Sequence, residues 1–178
     1  MRTDRLRQEF DLDIRWRVFP LHPETPEEGQ SLEELFAGRY DIEAMMQRCA
    51  DVAKELDLPF GNRTHTYNSR RAQELGKWAE EQGVGEAFHM AVYRAYYVDG
   101  CNIALPGKLA EIAESVGLDP DAALLTIDKR SYAGHVDSDW QRAKGLGVTS
   151  IPTVIYQQQA LVGFQSYENY RRLLTETY

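Results

Sequence analysis

Gly147-Val-Thr-Ser-Ile-Pro-Thr-Val-Ile155 is the stretch on which the fold turns. A glycine able to close a helix is followed by a small polar pair, a β-branched residue, a proline and a β-branched run. The glycine permits a left-handed stop, the proline fixes its own φ and withholds a donor, and Thr153 to Tyr156 has strand composition. Ahead of this stretch, Ser131 to Leu146 reads as a helix closed by Gly145 and Gly147. Behind it, Thr153-Val-Ile-Tyr156 and Leu161-Val-Gly-Phe164 flank Gln157-Gln-Gln-Ala160 and predict a hairpin, although Gln-Gln is a poor turn signal. Tyr167 to Thr175, with Tyr170, Leu173 and Leu174, predicts a closing helix.

Toward the amino terminus the pattern is different. Residues 12–19 alternate, with Leu12, Ile14, Trp16 and Val18 on one side and Asp13, Arg15 and Arg17 on the other, which predicts a strand at a sheet edge. Segment 3–10 reads as the tail of a helix without a start signal, so the sequence reads as though it opens in mid-element. Pro20 to Gly29 holds three prolines and is a loop. Helices follow. Ser31 with Glu34 resembles a capping box, and Asp41 can cap a helix whose stripe is Ile42, Met45, Met46, Cys49, Val52, Ala53 and Leu56. Residues 58–67 read as a loop. Asn68 or Ser69 can cap a helix through Trp78, residues 85–98 keep helical spacing, and Pro106 and Pro120 sit at first-turn positions. The sheet elements lie at the two ends, which predicts one α/β domain: 1–30 and 147–178 form its sheet portion, and 31–146 are a helical insertion with connecting helices.

Composition narrows the function classes. With 20 basic against 28 acidic residues the formal charge is -8, so a nucleic-acid partner is not expected. No apolar run approaches the ~20 residues of a membrane helix, and the first ten residues lack a signal-peptide core. The expectation is a soluble cytoplasmic protein with no membrane partner. Cys49 and Cys101 are too few for a disulfide scaffold or a four-cysteine zinc site. His65, His89 and His135 have no metal-ligand spacing, so no metal is expected.

The quoted stretch resembles the cis-proline loop of thioredoxin folds, and four further segments support this in order. Ile14-Arg-Trp-Arg-Val-Phe-Pro-Leu-His-Pro23 resembles the second core strand and following loop of the FrnE-like branch of the DsbA family. Asn68-Ser-Arg-Arg-Ala-Gln-Glu-Leu75 resembles that branch's helix start. Ala95-Tyr-Tyr-Val-Asp-Gly100 with Leu109-Ala-Glu-Ile-Ala-Glu-Ser-Val-Gly-Leu118 resembles its helical insertion. Gly163-Phe-Gln165 resembles its hairpin end. The same plan is shared by 2-hydroxychromene-2-carboxylate isomerases and kappa-class glutathione transferases. The resemblance implies a thioredoxin-like fold with an inserted helical domain. It also implies an oxidoreductase in which a cysteine ionised at a helix start attacks a substrate sulfur and a second cysteine resolves the mixed disulfide. This sequence departs from that pattern in having neither the first core strand nor the C-x-x-C, so no catalytic residue is assigned and the chain alone is expected to be inactive. A start codon placed too late is one expected cause. Two alternatives stay open: a glutathione-dependent isomerase or transferase of the same fold, and a non-enzymatic peptide-binding module.

Each candidate residue has a plainer reading. Pro152 is an ordinary trans proline by base rate, and the resemblance makes it cis, with Ile151 offering backbone to a substrate by strand addition. Ser150 reads as a locally bonded loop hydroxyl. His22 is either solvated or part of a pocket beyond the carboxyl end of strand 12–19. Asn68 is first a helix cap, and the relatives suggest substrate or glutathione binding. Cys49 lies on an apolar stripe and reads as a buried, inert thiol, whereas Cys101 follows Asp99-Gly100 at an element edge. Tyr93, Tyr96, Tyr97 and Trp78 read mostly as core of the helical lid, with lining of a cleft between lid and sheet as the alternative for some of them. The expected partner is a peptide or small-molecule thiol. The resemblance places the absent strand between 12–19 and 153–156. Either 12–19 moves over to pair with 153–156, or a second copy supplies a strand, and the homodimer is the favoured repair.

Overall fold

The computed structural model describes residues 2–176. Along the chain come α1 (Arg2–Glu9), β1 (Gln30–Ser31), α2 (Leu32–Phe36), α3 (Ile42–Glu55), β2 (His65–Thr66), α4 (Arg70–Glu81), α5 (Gly85–Tyr97), α6 (Pro106–Ser115), α7 (Pro120–Lys129), α8 (Ala133–Gly145), β3 (Thr153–Tyr156), β4 (Gln159–Val162) and α9 (Tyr167–Thr175). They fall into two compact units: residues up to Leu21 together with those from Ser138 onward, and His22–Asp137. The seams lie at Leu21/His22 and Asp137/Ser138, where the sequence put them at 30/31 and 146/147. Side-chain bonds explain the first of these differences. Asn68 donates to the carbonyls of Pro23 and Thr25, and Asn102 donates to that of Glu27, which ties the proline-rich loop to the helices.

In the helical unit the starts follow their caps. Ser31 and Glu34 form a reciprocal capping box, and Asp41 accepts from the Ala44 N–H at 2.9 Å. At α4 the cap is Asn68, whose Oδ1 accepts from the Arg70 N–H at 2.9 Å, while Ser69 makes no side-chain cap bond. Helices α4 to α7 bury Leu75, Ala79, Phe88, Leu109, Ala113 and Ala123 completely. Burying each large member of that set is worth about 1.5–3 kcal/mol. The buried carboxylate of Glu74 is held by Arg70 at 2.6 Å and Arg130 at 2.6 Å, which joins α4 to the end of α7. Burial raises this carboxyl's pKa, but the two guanidiniums outweigh it and hold the group below the usual carboxylate value.

Two readings of this unit need correcting. Residues 65–66 are not loop: β1 and β2 form a short antiparallel ladder pairing Gln30 with Thr66 and Ser31 with His65. The stripe of α3 is not buried core either, since only Ala53 is enclosed and Cys49 and Leu56 are exposed. Helical spacing sets which residues share a face, and it does not set what covers that face. Tyr93 and Tyr97 are likewise exposed, Tyr96 is half-buried, and of that aromatic set only Trp78 is buried.

The other unit holds the hairpin, the end of α8, and helices α1 and α9. β3 and β4 pair antiparallel from Thr153↔Val162 to Tyr156↔Gln159, so β4 starts two residues before the expected Leu161 and the turn is Gln157-Gln158. Gln157 takes φ of 53°, the left-handed region that makes this turn possible without glycine. Glu9 of α1 accepts from Arg171 at 2.5 Å and from the Tyr167 hydroxyl, which fastens α1 to α9. Residues 12–19 do not form a strand, nor do they pair with 153–156. Alternation fixes which side chains share a face, but a ladder needs a neighbouring strand to supply bonds. Among the described residues none runs beside this segment. Its hold is a buried side chain instead: Asp139 accepts from Arg17 Nη1 at 2.9 Å and from the Val18 N–H at 3.2 Å.

Candidate functional site

The loop between α8 and β3 is built by its punctuation. Gly147, with φ of 68°, ends the helix as its N–H reaches the Lys144 carbonyl and the Val148 N–H reaches that of Ala143, both at 3.0 Å. The chain then crosses Ser150, Ile151 and Pro152, and the Ile151–Pro152 peptide is cis. Two bonds anchor the loop to the hairpin. Thr153 Oγ1 donates to the Ser150 carbonyl at 2.7 Å, and the Gly163 N–H donates to the Pro152 carbonyl at 2.7 Å. The Ser150 carbonyl, rather than the expected hydroxyl, is therefore the locally bonded group. Ile151 is 48% exposed, and neither its N–H nor its carbonyl has a partner among the described residues, whereas the carbonyls of both neighbours are bonded. Val154, Ile155, Val162 and Phe164, on or beside the hairpin, are exposed as well.

His22 and Asn68 belong to the helical unit, where they meet on one turn. The His22 carbonyl accepts from the Thr25 N–H at 3.2 Å, and its ring stands edge-on to Phe36 at 6.3 Å. Asn68 spends both amide hydrogens on Thr25 and Pro23, at 2.7 and 3.2 Å, and its oxygen on Arg70. It is thus a cap and a loop clamp with its bonding capacity taken. It also lines a cleft of about 550 Å³ together with Arg70, Arg71 and Arg130.

Cys49 is exposed and Cys101 half-buried, the latter with its N–H on the Ala95 carbonyl at 2.8 Å. Neither belongs to a C-x-x-C. Among the described residues no group of three or more His, Cys, Asp or Glu side chains is arranged to hold a metal ion, and no helix is long and apolar enough to cross a membrane. Two polar anchors escaped sequence reasoning. Glu74 had a signal in its i, i+4 spacing from Arg70. Asp139 had none, because its partners lie 121 and 122 positions away.

A family model, that of the DSBA-like thioredoxin domain, matches residues 1–175. Among solved structures, a probable DsbA oxidoreductase from Streptomyces coelicolor is 25% identical with a TM-score of 0.80, over 89% of this chain and 72% of that one. A 2-hydroxychromene-2-carboxylate isomerase is 19% identical with a TM-score of 0.74, over 98% and 84%. A candidate protein disulfide isomerase from Nitrosomonas europaea is 18% identical with a TM-score of 0.59, over 74% and 71%. The search of curated proteins finds no match.

Proposed function

We propose a function from one premise: this chain belongs to the family of DSBA-like thioredoxin domains. Its fold is thioredoxin-like α/β with inserted helices. The function is that of a thiol–disulfide oxidoreductase scaffold, in which the Ser150–Pro152 loop presents backbone to an extended peptide thiol and the chain itself encodes no cysteine pair for turnover. The supporting observation is Ile151, whose N–H and carbonyl are unpartnered beside an exposed apolar hairpin. An extended peptide needs such a pair of groups to add as a strand, with side-chain pockets setting preference. Thiol exchange needs a low-pKa thiolate beside a resolving thiol, and two cysteines 52 positions apart in sequence do not give one by motif. Asn68 gives no support to the glutathione-dependent alternative, because its amide is consumed by the turn at Pro23–Thr25.

The reading includes a homodimer in the cytoplasm. β3 and β4 pair only with each other among the described residues, and residues 12–19 carry strand alternation without a ladder. Open edges of this kind are templates for pairing between copies. Sedimentation over a wide concentration range should give a dimer, and a monomer throughout would remove it.

The test of the function pairs two measurements. Reduced, carboxymethylated insulin B chain should slow amide exchange at Ile151 when added, and the chain should not accelerate insulin reduction by dithiothreitol. Unchanged exchange at Ile151 would defeat the platform. Fast insulin turnover lost on Cys101→Ala would defeat the missing-thiol half.

A further inference from the structure

The cleft of about 550 Å³ in the helical unit lies within the size range of small-ligand sites. One part of it is cationic. Arg71 uses a single nitrogen, Nη1, which donates to the Ala104 carbonyl at 3.1 Å and forms an ion pair with the Glu27 carboxylate at 2.7 Å. Arg130 uses Nε and Nη2, both on Glu74, at 3.5 and 2.6 Å. A guanidinium offers five N–H donors in a planar fork. The Nε and Nη2 groups of Arg71 and the Nη1 group of Arg130 therefore have no protein acceptor among the described residues. Apolar atoms from Pro106, Leu124 and Ile127 line the rest. Ile127 is buried in the core, but Leu124 is exposed at the surface of the same helix.

Glu27 shows what this surface accepts. Its side chain is 59% exposed, and it reaches Arg71 from the proline-rich loop rather than from a helix packed beside it. A tethered carboxylate already occupies one prong of the fork, and an ion pair this open to water contributes little, so it is readily displaced. Arginine forks favour two-pronged carboxylate binding over the one-nitrogen contact seen here. Asp128 also lines the cleft, so a ligand with a second negative charge would meet repulsion.

We propose that this cleft binds a small amphipathic monocarboxylate. The ligand carboxylate displaces Glu27 and takes the spare donors of Arg71, with Arg130 adding a second positive charge to the same cleft, and the apolar body rests on Leu124 and Pro106. The site shares no residue with the peptide platform, and the proposal does not depend on it.

Calorimetric titration with 4-phenylbutyrate and with its uncharged amide, 4-phenylbutyramide, tests this. The acid should bind about tenfold or more tightly than the amide, because only the acid offers the guanidinium an anion with two acceptor oxygens, where Glu27 makes a one-nitrogen contact. Arg71→Gln should weaken the acid by a similar factor, and Leu124→Asp should weaken both probes. Glu27→Gln should tighten the acid about threefold by removing the competing carboxylate. That gain is one a merely structural ion pair would not produce. Equal binding of acid and amide, no binding of the acid, or a loss of affinity in Glu27→Gln would each overturn the site.

Discussion

The helical unit closes on itself and the sheet unit does not. In His22–Asp137 a cluster around Leu75, Phe88 and Leu109 is fully enclosed, whereas in the other unit the buried apolar side chains among the described residues are Leu6 and Leu173 and much of the hairpin is exposed. The difference follows from where each element finds its hydrogen bonds. A helix satisfies its backbone internally, so packing one stripe is enough. A strand borrows its bonds from a neighbour, so two strands leave two open edges and apolar faces with little to cover them.

Four substitutions sharpen or break this contrast. Phe88→Ala opens a cavity in the enclosed core and should cost about 3–5 kcal/mol. Urea unfolding followed by circular dichroism reads it, and a cost under about 1 kcal/mol would mean the helical unit is not the better-packed half. Glu74→Gln leaves Arg70 and Arg130 facing a neutral amide and should cost about 2–4 kcal/mol at neutral pH. The carboxyl of Glu74 titrates lower when folded than when unfolded. Its stabilisation is therefore complete above the unfolded value, about 4.3, and fades as pH falls through the folded one. Melting temperatures from neutral to acid pH should thus converge between the parent and Glu74→Gln, and a constant gap would contradict the coupling.

Asp139→Asn tests the sheet unit, where one carboxylate stands in for a strand. It should cost about 1–3 kcal/mol and speed amide exchange at Val18. Unchanged exchange there would show that residues 12–19 are held some other way. Gln157→Gly has the smallest expected effect. It relieves a left-handed residue at the hairpin turn but frees the unfolded chain, for a net gain of about 0.5 kcal/mol. A drop in melting temperature would mean the turn prefers its side chain.

What could be read from the sequence divides along the same line. The helices from Ser31 onward were legible in their caps: the Ser31–Glu34 box, Asp41, Asn68, and the prolines at 106 and 120 all stand where local chemistry puts them. Caps and periodicity are local, so sequence carries them. The hairpin was legible but its register was not, because a two-residue turn without glycine leaves no mark. Residues 12–19 read as a strand because their alternation is real, and yet alternation is silent about a partner. At the candidate site, Ile151 and Pro152 stood out by their place after Gly147. Asp139 and the Arg71–Glu27 pair depend on contacts across long separations, which no window of sequence displays.

The bond from Val18 to Asp139 spans 121 positions, and this has a consequence for how the protein is made. At about 5–20 residues per second, a ribosome adds Asp139 about 6–24 seconds after Val18. Every residue of the helical unit, His22–Asp137, is joined to the nascent chain within that interval. That unit is therefore complete in sequence while Arg17 and Val18 still lack their anchor. During those seconds Leu12, Ile14, Trp16 and Val18 keep their strand alternation without the side-chain anchor that later holds the segment.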